Sequence, residues 1–63
     1  MDKTILPDNK YKYASSGYYW GRIITIDRKK SEARVLTAGN GGVTFGLYEL
    51  QAWINEGILV KIN

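Results

Sequence analysis

The sequence predicts a mainly β domain of α+β type: a small antiparallel barrel or strongly curled sheet, with one short helix at about 47–56 before the last strand. Three observations predict it. The stretch from Gly17 to Asp27 (GYYWGRIITID) is the longest β-prone run, aromatic and β-branched almost throughout. Turn-forming clusters at Ser15-Ser16-Gly17, Arg28-Lys29-Lys30-Ser31 and Gly39-Asn40-Gly41-Gly42 divide the first two thirds into hairpin-sized pieces. At Leu47 the apolar spacing changes from two residues to that of a helix.

Taken in order, residues 1–9 read as a tail or short edge strand, with Thr4-Ile5-Leu6 able to pair and Pro7-Asp8-Asn9 ending it in a turn. Lys10-Tyr11-Lys12-Tyr13 alternates strictly, tyrosines on one face and lysines on the other. In the long run, period two puts Tyr18, Trp20, Arg22, Ile24 and Ile26 on one side and Tyr19, Gly21, Ile23, Thr25 and Asp27 on the other. Both sides then carry large apolar groups, so the strand is expected to be covered at least partly on each, with Gly21 as the place for a bulge or bend.

After the polar tip Arg28–Ser31, Glu32 to Thr37 resumes alternation, Ala33 and Val35 facing one way and Arg34 and Leu36 the other. Asn40-Gly41 is expected to supply the two left-handed positions of the next hairpin turn, and Val43-Thr44-Phe45 follows as a short strand. Leu47, Leu50, Trp53 and Ile54 form the apolar stripe of the helix. Gly46 serves as its N-cap, Glu49 favours its N-terminus, and Gly57 stops it in the left-handed C′ position, with Ile58 folding back on Trp53. Tyr48, Gln51, Ala52 and Asn55 face outward, and Ile58 to Ile62 closes the chain as a strand.

At 63 residues this is a single domain, without cysteine or histidine, so disulfides and the commonest metal ligands are excluded. No cofactor is expected. A chain this short hides only about 60% of its unfolded surface, so its packing must rely on Trp, Tyr and Phe at about 150–250 Å² each. The N-terminus lacks the apolar core of a signal peptide, and no run approaches the ~20 apolar residues that span a bilayer. A soluble cytoplasmic protein without membrane association is the expectation.

The central segment resembles the SH3-like small barrels, and within them the KOW-type modules of transcription and ribosomal proteins. The residues that carry the resemblance lie within 17–36: Gly17, Gly21, Ile23, Ile26, the polar turn Asp27–Ser31, and Val35 on the returning strand. The resemblance implies a lean toward nucleic acid or the transcription and translation machinery. Where small SH3-like barrels place a single 3₁₀ turn before the last strand, this chain places a longer helix. Its size and the lack of a catalytic set also resemble the short accessory proteins encoded by phages.

An enzyme is not expected. No nucleophile-plus-base pair stands out; Glu49 and Glu56 lie two helical turns apart, and Asp27 and Glu32 read as salt-bridge partners of the basic loop. Gly39–Gly42 lacks the Lys-Ser/Thr and the strand–loop–helix context of a phosphate loop, and reads as a plain turn. Charge carries more. The net charge is +3, yet residues 1–36 hold eight of the nine basic side chains (Lys3, Lys10, Lys12, Arg22, Arg28, Lys29, Lys30, Arg34) against Asp2, Asp8, Asp27 and Glu32. That asymmetry points to an anionic partner.

The leading expectation is therefore weak, largely sequence-independent binding of DNA or RNA by the basic-aromatic first half. Lys10, Lys12, Arg22, Arg28, Lys29, Lys30 and Arg34 would meet phosphates, and Tyr11, Tyr19 and Trp20 would stack on bases. The alternative is a small accessory factor or inhibitor whose charge steers it to an acidic surface of a larger transcription or nucleic-acid-processing protein. The strand candidates Lys3–Leu6 and Leu59-Val60 would allow a homodimer through open sheet edges.

Overall fold

The computed structural model describes residues 3–63. Five strands and one helix follow in the expected order: β1 (Lys10–Tyr13), β2 (Tyr19–Asp27), β3 (Glu32–Thr37), β4 (Gly42–Gly46), α1 (Leu47–Asn55) and β5 (Leu59–Lys61). All pairings are antiparallel, in one sheet of order β4-β3-β2-β1-β5. The sheet does not close into a barrel; β4 and β5 remain as its two edges.

The core forms where α1 covers one face of this sheet. Ile5, Tyr11, Trp20, Ile23, Ala33, Val35, Leu50, Ile54 and Leu59 are buried, and Ile26, Phe45, Leu47 and Trp53 pack against them. Trp20 holds the aromatic part together, with ring centroids 5.3 Å from Phe45, 6.3 Å from Trp53 and 6.5 Å from Tyr11. Tilted and edge-on ring pairs of this kind add about 0.5–1.5 kcal/mol each beyond their buried area.

Strict period two fails in β2 because the strand carries two bulges. Against β1, Tyr11 pairs with Gly21 and Lys12 with Tyr19, so Trp20 is the extra residue. Against β3, Ile23 pairs with Val35 and Thr25 with Arg34, so Ile24 is extra. Each bulge resets the alternation. Trp20, Ile23 and Ile26 therefore all reach the covered side, whereas Ile24 is left exposed. The strand is covered on one side only, and the bulges fall at Trp20, beside Gly21, and at Ile24, rather than on Gly21 itself. Gly21 serves another purpose: a Cβ there would lie 2.9 Å from both the Leu36 carbonyl oxygen and Val35 Cγ1.

The turns follow local chemistry. Pro7 and the left-handed Asp8 (φ 70°) occupy the middle of a turn closed by the Asn9 N–H on the Leu6 carbonyl. The tip between β2 and β3 is held by Asp27 Oδ1, which accepts the backbone N–H groups of Lys29 and Lys30, and Ser31 takes φ 52°. Between β3 and β4 the turn lies earlier than expected. The Asn40 N–H reaches the Thr37 carbonyl, and Gly39, not Asn40-Gly41, takes the left-handed position (φ 84°).

The helix ends as its sequence predicts. Gly57 N–H donates to the Ile54 carbonyl and Ile58 N–H to that of Trp53, with Gly57 at φ 80°. This is the two-bond Schellman ending. Replacing Gly57 by alanine is expected to lower stability by about 1–2 kcal/mol, the usual cost of a left-handed residue bearing a Cβ. A shifted urea midpoint at unchanged slope would show it.

Residues 3–9 form no strand, and Met1 and Asp2 lie outside the described residues, so the expected N-terminal edge is absent from the described part. The segment is nevertheless tied down. Ile5 is buried, Asp8 N–H donates to the Ile23 carbonyl, and Ile23 N–H donates to that of Asn9. The buried Asn9 gives its side-chain amide to the Tyr11 hydroxyl (3.1 Å) and the Thr4 carbonyl (3.3 Å). Asn9→Ala is expected to cost about 1–3 kcal/mol, because both acceptors lose this donor; thermal unfolding followed by circular dichroism would measure it. Gln51, on the outward side of the helix, donates to the Lys3 carbonyl at 3.0 Å. No described helix is long and apolar enough to cross a membrane.

Candidate nucleic-acid interface

Alternation and register decide where the basic side chains stand. Because Tyr11, Ala33 and Val35 point into the core, Lys10, Lys12 and Arg34 point out through the uncovered face. Arg22 joins them: it pairs with Lys10 on one side and Leu36 on the other. Cross-strand neighbours on one face stand about 4.5–5.5 Å apart at Cβ, so Lys10 and Arg22 make one patch, and Lys12 and Tyr19 pair beside it. Arg34, paired with Thr25 and Thr44, extends the patch across β3.

Two features shape this outer face. Arg34 lies flat along it, its guanidinium donating to the Gly42 carbonyl at 3.4 Å over a position that has no side chain in the way. Arg22 is paired with Asp8 at 3.2 Å, with both side chains open to solvent. That is the one ion pair among the described residues, and an exposed pair of this sort is worth at most about 1 kcal/mol. Arg22 is therefore partly neutralised, whereas Lys10, Lys12 and Arg34 have no carboxylate partner among the described residues. Leu36, Val60, Ile62 and Ile24 are also exposed. Val60 pairs with Lys12, and Ile62 N–H donates to the Lys10 carbonyl, so the cations stand among apolar side chains.

The tip of the β2–β3 hairpin divides. Arg28 turns to the helix side, where its guanidinium donates to the Ile5 carbonyl at 3.2 Å and borders a groove with Ser31, Leu47 and Tyr48. It does not share a surface with Lys10 and Lys12. Lys29 and Lys30 are exposed, and Lys30 borders a shallow depression with Asp27, Glu32 and Arg34. Among the described residues Asp27 and Glu32 form no ion pair within 4 Å, contrary to their expected role as salt-bridge partners of this loop. They place two carboxylates at this end of the face, so its positive character lies toward β1.

The aromatic side chains divide as well. Tyr11 is 2% exposed and Trp20 7%, both locked in the core, so neither ring is open to stack on a base. This corrects the expectation for both. The bulge that turns Trp20 inward has no local signature, and Tyr11 is drawn in by the Asn9 amide that satisfies its hydroxyl. Tyr19, at 42% exposed, remains available, and Tyr13 and Tyr18 are exposed rings the sequence did not single out for this role. At the same end, Tyr13, Tyr19, Trp20, Thr37, Val43 and Phe45 line an open depression of about 310 Å³.

Fold and face together define a small open-sheet domain with one covered and one cationic, partly apolar surface. A scan against family models finds no match, and searches of curated proteins and of solved structures find none either.

Proposed function

We propose that this chain is a non-catalytic binding module whose uncovered sheet face holds nucleic acid, largely without regard to sequence. The observation that carries the reading is the convergence of Lys10, Lys12, Arg22 and Arg34 on one face with the exposed ring of Tyr19. Cations on a flat sheet follow a phosphate backbone, and a neighbouring ring stacks on any base. An SH3-like kinship belongs to the same proposal, supported by the antiparallel meander β1–β4 with β5 returning beside β1. The salt dependence of binding to a labelled oligonucleotide tests it. Phosphate contact requires log K to fall linearly with log salt, at about 0.7–0.9 per neutralised phosphate. Affinity that is no better than millimolar at low salt rules it out.

One observation favours a second reading. Leu36, Val60 and Ile62 stand exposed among the same cations, a mixture that also suits an acidic protein surface with apolar patches. Binding to an acidic protein captured from extract, with no oligonucleotide affinity, would select it.

A further inference from the structure

We propose that β4 is an interaction edge, along which a second copy of this chain adds its own β4, antiparallel, about a two-fold axis at Thr44. The inference goes beyond the reading of the outer face and holds whatever that face binds.

Hydrogen bonding shows which groups are left over. The Leu47 N–H donates to the Ser31 carbonyl, and the β3–β4 register sets these two residues opposite one another. Bonded and unbonded pairs alternate along an antiparallel ladder. Phe45 and Val43 therefore direct their backbone groups to β3, whereas Gly42, Thr44 and Gly46 aim theirs away from the sheet. The Gly42 carbonyl is met by Arg34, and that of Gly46, the N-cap, begins the helical ladder. The Thr44 N–H and C=O and the N–H groups of Gly42 and Gly46 have no protein partner among the described residues.

This edge is also unguarded. Edge strands are ordinarily protected by charge, proline, a bulge or shortness. β4 has five residues in unbroken register with β3 and carries no charged side chain and no proline. The opposite edge, β5, has three residues and ends on Lys61.

The strand itself names the occupant. Gly42-Val43-Thr44-Phe45-Gly46 has the same pattern in both directions: glycine, apolar, threonine, apolar, glycine. With Thr44 opposite Thr44, a second copy sets Gly42 against Gly46 and Val43 against Phe45. The two Thr44 residues exchange a pair of backbone bonds, and the flanking glycines put no side chain in the way. Val43 and Phe45 are half-buried, and across an unbonded pair their side chains stand close enough to cover one another. A strand of unrelated sequence finds the same backbone groups but lacks this match. Charge does not oppose the contact, because the two β3 strands carrying Arg34 would lie three strand spacings apart. That is about 14 Å, beyond the ~8 Å screening length at physiological salt. The axis stands perpendicular to the sheet, so the two five-stranded sheets join into one, with both cationic faces on the same side.

Sedimentation equilibrium of wild type, Thr44→Pro, Thr44→Lys and Val60→Lys tests the pairing. The wild-type mass is expected to climb from 7.1 kDa toward twice that value as the concentration approaches the millimolar range. Thr44→Pro removes an N–H that faces away from β3, a place where an edge strand tolerates proline. Two bonds are lost per dimer at about fivefold each, so the dissociation constant should rise about 25-fold or more. Thr44→Lys, at an exposed position that keeps the fold, sets like charges opposite one another and should also weaken association. Val60→Lys, on the other edge, should leave it unchanged. Amide exchange in the wild type supplies a readout that misfolding of a variant does not touch. The Thr44 N–H should exchange more slowly as concentration rises, while those of Val43 and Phe45 are protected throughout. A mass of 7.1 kDa at every concentration would overturn the proposal. A dimer that Val60→Lys dissolves and both Thr44 variants leave intact would overturn it too, by placing the contact at β5.

Discussion

Gly21→Ala is expected to cost about 3 kcal/mol or more and to leave much of the protein unfolded at room temperature. The added methyl would stand 2.9 Å from the Leu36 carbonyl oxygen, 2.9 Å from Val35 Cγ1 and 3.2 Å from Thr37 Cα. Two of these three are backbone atoms of the adjacent strand, and Val35 is fully buried, so nothing nearby can move aside cheaply. Overpacking a well-filled core costs about 1–3 kcal/mol, and a clash with backbone falls at the upper end. A domain this small is rarely stabilised by more than about 3–5 kcal/mol, so the loss consumes most of it. Urea unfolding of the two proteins, monitored by tryptophan fluorescence, would measure the difference. A midpoint within error of wild type would show that β2 and β3 separate more readily than this packing implies.

The largest functional effect is expected from reversing the charges of the outer face. Lys10→Glu, Lys12→Glu and Arg34→Glu together should abolish oligonucleotide binding at physiological salt. The corresponding glutamine triple should lower the salt slope by roughly 2–3, at about 0.7–0.9 for each phosphate that is no longer neutralised. Arg28→Gln should change binding little, because its guanidinium faces the Ile5 carbonyl on the helix side. None of the three outer side chains belongs to the core, so folding should survive. If Arg28→Gln weakened binding as much as the glutamine triple, the interface would lie around the hairpin tip rather than on the sheet.

The comparison of Arg28 with Arg34 shows what was legible from residues alone. Arg34 lies in a strand whose neighbours Ala33 and Val35 alternate cleanly, so its outward direction follows from the pleat. Arg28 lies in a turn, where direction is set by whatever partner is near, here the carbonyl of Ile5, in a segment that forms no strand. The helix was legible for the same reason as Arg34: its stripe and its stop at Gly57 are local features, and both are present. The failures in β2 are non-local. Its bulges arise from pairing with two different partners at once, and the partner strands, not β2, determine where Trp20 points. Tyr11 was ambiguous because a tyrosine serves equally in a core or on a wet face until its hydroxyl finds a partner.

The laying of β5 against β1 has a kinetic consequence. Asn63 donates to the Asp8 carbonyl and accepts from the Lys10 N–H, bonds that bridge sequence separations of 55 and 53 residues. The β2–β3–β4 hairpins can assemble from neighbouring residues, but this closure must wait until nearly the whole chain has collapsed, and its entropy is lost before any contact repays it. Until then β1 is a bare edge, with Tyr11 and the aromatic cluster behind it unshielded. The refolding rate should therefore be limited by the arrival of the final strand, and the species waiting for it is the one most prone to associate with its own kind.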